Sequence, residues 1–241
     1  VTSGAGGLVV TIDGPAGCGK SSVAQQLARR LGWQVLDTGA MYRAAALLAL
    51  RSGIEPSDGA AVAAVIRRSR IDFDWRADPP VILLDGEPVE EAIRSVEASA
   101  AASAVAARPE VRAILVESQR RIASAMPRLV SEGRDQGSVV FPDALVRFFL
   151  DAPVEERAHR RLLQLEQAGE RVDELALRRA IRERDEHDRA RAVAPLVRPP
   201  GAVVVDTGGT TLEQVVDRLE REVRDALRRV GAEGTAGTPR R

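Results

Sequence analysis

The stretch Leu8–Ser22 reads LVVTIDGPAGCGKSS. Leu8–Ile12 is a short, β-rich apolar run that stops at Asp13-Gly14. Beyond it, apolar residues recur at Val23, Leu27, Ala28 and Leu31, which is a helical period. Between the two, Gly14-Pro15-Ala16-Gly17-Cys18-Gly19-Lys20-Ser21 fits G-x-x-x-x-G-K-[ST] in full. Trp33–Leu36 reads as a second strand. A strand, a glycine-rich loop, a helix and a strand open a parallel α/β sheet.

The spacing has a chemical reason. Glycines let the backbone curl until successive N–H groups point inward at phosphate oxygens. The helix that starts at Lys20 or Ser21 adds its N-terminal dipole. Gly14 through Ser22 is therefore the expected site for the phosphates of ATP. Lys20 reaches the outer phosphates as a point charge, and the Ser21 hydroxyl is placed to hold Mg²⁺. Cys18 reads as a small packing residue. Lys20 is also the chain's only lysine; every other basic residue is arginine. A slim ammonium fits a loop wrapped round a phosphate, where the planar guanidinium fork is too large.

Further along, Ala40–Arg51 and Gly59–Arg68 read as helices. Ile71–Trp75 and Val81–Leu84 read as short strands of an antiparallel insert over about 71–89, with a tight turn at Asp85-Gly86. Helices follow at Val96–Ala107, Glu110–Ala125, Val154–Ala168, Glu174–Arg191 and Leu212–Val230. Leu129–Ser131, Val146–Leu150 and Val203–Val205 complete five core strands. The expectation is a five-stranded parallel sheet flanked by helices, a P-loop NTPase fold, with ligands at the carboxyl ends of the strands. The segment 231–241 reads as a disordered tail.

Composition narrows the function classes. The 241 residues carry 35 basic and 35 acidic side chains, so the basic excess of a nucleic-acid binder is missing. Aromatic content of 3% argues against a base-stacking platform. One cysteine excludes an intrachain disulfide. No apolar run reaches membrane-span length, and the start does not read as a signal peptide. A cytoplasmic monomer is the expectation. With one lysine there is no N-K-x-D guanine motif, and no strand ends in the paired acids of a motor ATPase. A small-molecule kinase fits best.

Three further stretches lie at expected carboxyl ends or on a charged helix. LDTGAMYR (36–43) offers Asp37, the Thr38 hydroxyl and Arg43. EGRDQGSVVFPDA (132–144) sets Arg134 and Asp135 between glycines, in a loop of the kind that carries function. RERDEHDRARAVAPL (182–196) puts Arg184, Asp188 and Arg191 on one helical face. A capped helix and a solvated ion-paired face are the plain structural readings of the first and third.

Together with FLDAPVEERAHRR (149–161), these stretches resemble the bacterial-type cytidylate kinases, within the nucleoside monophosphate kinases, over roughly Val9 to Leu219. The resemblance implies transfer of the γ-phosphoryl of ATP to CMP or dCMP. It implies that Thr38, Arg43, Arg134, Arg184 and Arg191 serve the acceptor phosphate, with Asp188 and Arg184 at the ribose. Lys20, Arg134, Arg184 and Arg191 are then the catalytic cations. It implies that Ser103, Arg112 and Asp135 read the cytosine. It also implies that the insert belongs to the acceptor-binding domain and that a short lid, about 157–173, brings arginines onto ATP. Arg157 and Arg161 are placed there, with Arg160 a further candidate; the sequence does not choose among them. Glu132 and Gln136 depart from the residues frequent in that family, and neither is obviously a ligand contact. The rival readings are a kinase for UMP or AMP and a nucleotide-binding regulator without turnover.

Overall fold

A computed structural model describes residues 7–167, 169 and 172–236. The chain runs β1 (Leu8–Asp13), α1 (Lys20–Leu31), β2 (Gln34–Asp37), α2 (Thr38–Arg51) and α3 (Gly59–Arg68). Then come β3 (Ile71–Asp74), β4 (Val81–Leu84) and β5 (Glu87–Pro88), followed by a single 3-10 turn, α4 (Val96–Ala106) and α5 (Pro109–Ala125). The last third holds β6 (Arg128–Gly133), a π-turn at Gln136–Val140, β7 (Val146–Asp151), α6 (Val154–Gln167), α7 (Glu174–Ala190), β8 (Val203–Asp206) and α8 (Leu212–Ala236).

Five strands form a parallel sheet in the order β2-β6-β1-β7-β8, and β3-β4-β5 form a separate antiparallel sheet. Each β1 neighbour lies beyond a crossover, so the loop after β1 sits at a switch point of the strand order. The register aligns the carboxyl ends: Asp37 lies beside Glu132, Asp13 beside Gly133 and Phe149, and Asp151 beside Asp206. Every functional stretch that follows a strand thus leaves from one edge.

Period-two alternation in β1 divides the core. Val9 faces a layer that includes Leu36, Met41, Leu48, Leu115 and Leu129. Val10 and Ile12 face the layer of Leu27, Val35, Val216 and Leu219. Local chemistry sets the helix starts. Asp37 accepts from the Ala40 amide at 2.8 Å, Asp58 from Ala61 at 3.0 Å and Ser95 from Ala98 at 3.1 Å. Pro109 takes the first position of α5.

Two boundaries differ from the sequence expectation. α8 continues through Gly231 and Gly234 to Ala236, because each glycine costs a long amphipathic helix only about 1 kcal/mol; residues 237–241 lie outside the described residues. The insert gains a third strand, Glu87–Pro88, too short to show any period. Of the stretch assigned to the lid, residues 168, 170 and 171 lie outside the described residues. Among the described residues, no helix is long and apolar enough to cross a membrane.

Candidate functional site

The phosphate loop joins β1 to α1. Gly19 precedes α1 with φ 90°, a left-handed conformation that favours glycine, and no side chain caps the helix. The first amides of α1 are therefore left for a ligand. At Gly14 a Cβ would stand 2.1 Å from the Leu150 carbonyl oxygen, so only glycine lets the loop pass β7. Lys20 is buried, its Nζ 2.7 Å from the Pro15 carbonyl oxygen and 3.8 Å from Cys18 Sγ. Burial pushes its ammonium below the ordinary lysine value, and the nearby Arg134 charge pushes the same way.

Ser21 donates its hydroxyl to Glu132 Oε1 at 2.6 Å. Burial and the Asp37 carboxylate push Glu132 up to about 7. The hydroxyl that the sequence assigned to Mg²⁺ is thus bonded to one carboxylate, and Asp37 lines the same pocket. Sequence reasoning set Glu132 aside; its position at the end of β6, beside Asp37 at the end of β2, is the signal that could have found it.

The residues that the resemblance assigns to the acceptor converge. Thr38 Oγ1 donates to the Glu132 carbonyl at 2.7 Å, and Arg43 pairs with Asp37 at 3.0 Å. Arg134 Nε donates to Asp188 Oδ2 at 2.9 Å. Arg191 is ion-paired with Asp188 and also reaches Ser103 Oγ at 3.4 Å. Burial lowers Arg184 from its ordinary value, and Arg134, Arg43 and Arg191 each act on it in charge. Arg43, Arg134, Arg184 and Arg191 therefore share one region with Asp188 at its centre. Arg43 Nε and Arg184 Nε are buried without a hydrogen-bond partner among the described residues. A half-buried cation cluster with two orphaned donors suits an anion. Arg112 pairs with Asp135 in the adjoining wall, 5.6 Å from the Tyr42 ring centroid.

The arginines assigned to the lid divide. Arg157 is 2% exposed and is spent on the protein. It donates to the Ala152 carbonyl at 2.9 Å and the Ala16 carbonyl at 2.8 Å, and pairs with Asp185 at 2.6 Å. Asp185 in turn accepts a long bond, 3.4 Å, from the Ala16 amide. Where the sequence expected a contact with ATP, Arg157 contacts the phosphate loop itself, at Ala16. Arg160 donates to the Thr207 carbonyl at 2.5 Å, and Thr207 Oγ1 to the Cys18 carbonyl at 3.1 Å. Arg161 is exposed and, among the described residues, reaches Gln164 at 3.4 Å. Asp185 and Thr207 escaped the sequence reading because their partners lie 169 and 189 residues away.

Comparison with known proteins gives this site a lineage. A family model described as Cytidylate kinase matches residues 10–225. The chain is 46% identical to the cytidylate kinase of Marinomonas sp. (strain MWYL1) over 221 residues, 91% of this chain and 97% of that one. It is 48% identical to the cytidylate kinase of Mycobacterium avium (strain 104) over 217 residues, 90% and 95% of the two chains. Its backbone resembles that of an uncharacterized protein from Eubacterium ventriosum, with TM-score 0.51 over 90% of this chain and 98% of that one. At 10% identity that is a likeness of fold alone.

Proposed function

The chain belongs to the cytidylate kinase family, and from that membership we propose how its residues divide the work. It is an ATP-dependent nucleoside monophosphate kinase that passes the γ-phosphoryl of ATP to CMP or dCMP, leaving ADP and CDP or dCDP. One observation carries the assignment of parts. Ser21, next to Lys20 on the donor loop, donates to Glu132 at 2.6 Å, two residues before Arg134, which supports a phosphoryl group crossing between these two loops.

The amides of Gly14–Ser22 and the Lys20 ammonium hold the ATP phosphates. Arg43, Arg134, Arg184 and Arg191, with the Thr38 hydroxyl, hold the acceptor phosphate, and Asp188 with Arg184 meets the ribose. An oxygen of that phosphate attacks the γ-phosphorus in line. The bond from γ-phosphorus to the β–γ bridging oxygen breaks, and ADP leaves with the electron pair. The nucleophile is already anionic, so no general base is required. Charge spreads over the transferred oxygens, and fixed cations and amides stabilise it.

The Arg112–Asp135 pair suits cytosine. Asp135 accepts from the N4 amine, and Arg112 donates to N3 and O2. Uracil would set its O4 against the carboxylate, leaving two acceptors unpaired. Ser103 joins this set.

Mg²⁺ fits beside Ser21. Ser21, Glu132 and Asp37 line one pocket, a hard-oxygen set in which burial and Asp37 push Glu132 up to about 7 and which would gain from a cation. Among the described residues no cluster of three or more His, Cys, Asp or Glu side chains forms a cage, which suits an ion that shares its ligands with ATP phosphates. Bound there, the ion would supply positive charge to the transferring group. Arg157 serves ATP from behind by holding the Ala16 carbonyl, and Arg161 supplies the lid's free guanidinium. Residues 8–230 then act as one kinase domain with its insert and lid, as a monomer in the cytoplasm.

Incubation with γ-labelled ATP, Mg²⁺ and CMP tests the reaction. Label is expected in CDP; label released only as inorganic phosphate would overturn it.

A further inference from the structure

One buried carboxylate has no place in the reaction as described. Asp13 ends β1, is fully buried and directly precedes the phosphate loop. Its two oxygens accept from the Gln136 and Gly137 amides, each at 2.7 Å. Those amides open the π-turn Gln136–Val140, 123 and 124 residues away in sequence. Immediately before them stand Arg134 and Asp135, the phosphate and base readers of the acceptor loop. The strand pairing fixes the other side of the same loop, because Asp13 sits beside Gly133 in the sheet. The loop that carries Arg134 and Asp135 is thus tied to β1 at both of its ends.

We propose that Asp13 is a positioning residue for the acceptor: its carboxylate tethers the Gln136 and Gly137 amides and so sets where Arg134 and Asp135 point. The turn has no side-chain cap of its own, and a carboxylate at its amide end supplies one from another strand. Two charge-assisted bonds in a dry interior fix direction as well as distance. The charged groups that face Asp13 are Asp135 and Lys20. Asp13 is therefore a joint between the donor cradle and the acceptor loop, and its loss acts on the acceptor side. The inference rests on the cytidylate kinase reading.

Transfer from ATP to CMP by the unaltered protein is measured first; if it is absent, that reading fails and not this one. The Asp13→Asn variant, which keeps one acceptor and loses the other, is then compared. A rise of about tenfold in KM for CMP and a tenfold loss of preference for CMP over UMP are expected, with KM for ATP changed less than about twofold. A change confined to KM for ATP, or a fall in kcat alone, would overturn the proposal, since either places Asp13 on the phosphate loop only. Should the variant fail to fold, hydrogen exchange at the Gln136 and Gly137 amides of the unaltered protein decides. Each donates to a buried carboxylate at 2.7 Å, so both are expected to exchange about a hundredfold or more slower than open loop amides. Exchange of both at the rate of an open loop would show that the carboxylate does not tether the loop.

Discussion

The guanidinium of Arg112 and the carboxylate of Asp135 are ion-paired with each side chain only 5% exposed, 23 residues apart and on different elements. Burial alone raises Asp135 from its ordinary value, and Arg112 opposes that rise. The pair is thus mutually dependent. The Asp135→Asn variant is expected to lose about a hundredfold in kcat/KM for CMP and to narrow the gap to UMP. It also leaves Arg112 buried without its counter-charge, at a cost of about 3 kcal/mol in stability. Steady-state kinetics with both acceptors and a urea midpoint check the two halves; an unchanged ratio of CMP to UMP would remove the base-reading role.

Lys20 is buried, with its Nζ 2.7 Å from the Pro15 carbonyl oxygen, a setting for a slim ammonium rather than a planar fork. The Lys20→Arg and Lys20→Met variants are both expected to lose about a thousandfold in kcat. The loss in the Met variant should not come from unfolding, because Met removes a buried ammonium that folding disfavours. A Lys20→Arg protein with near-normal turnover would show that charge alone suffices there.

Glu132 gives a prediction in pH. Its folded value of about 7 lies above the ordinary 4.5, so between these the folded state holds the proton more tightly than the unfolded chain does. Its contribution to stability is greatest when it is protonated and declines as pH rises through about 7. The Glu132→Gln variant, which has no charge to bury, should melt higher than the unaltered protein above that pH and lose the advantage in acid. It should also need more Mg²⁺ for turnover. Melting curves across pH and a Mg²⁺ titration of activity test both; equal melting temperatures above about 7 would contradict the first.

Arg157 and Asp185 are 2% and 1% exposed, and both touch Ala16. The Arg157→Met variant strands Asp185 and should lose about 3 kcal/mol. Adding Asp185→Leu should restore much of the stability, yet KM for ATP should stay raised because the loop has lost its brace. Restoration of both together would mean that the pair serves the fold alone.

These pairs also show what the sequence could and could not reveal. The loop Gly14–Ser21 and the helix Gly59–Arg68 were legible because their signals are local: glycine spacing, a cap and a 3.6-residue period. Arg184 and Asp188 were legible as one face of a helix, but α7 ends at Ala190 and Arg191 lies just past it in an extended conformation; that Arg191 and Arg134, 54 residues from Asp188, share that carboxylate was not legible. Arg112 and Asp135 came from family resemblance, since nothing local links them. The tether of Asp13 and the brace of Arg157 were invisible, because strand order alone brings such distant partners together. Arg157 was assigned to ATP because the resemblance places lid arginines there; its bonds to Ala152, Ala16 and Asp185 show that its donors are already engaged.

The most direct test of the whole account is ADP release from ATP-Mg²⁺ with CMP, dCMP, UMP or AMP, each against a blank without acceptor. Turnover with CMP and dCMP far above that with UMP and AMP is the predicted result. No acceptor exceeding the blank, or UMP or AMP matching CMP, would contradict it.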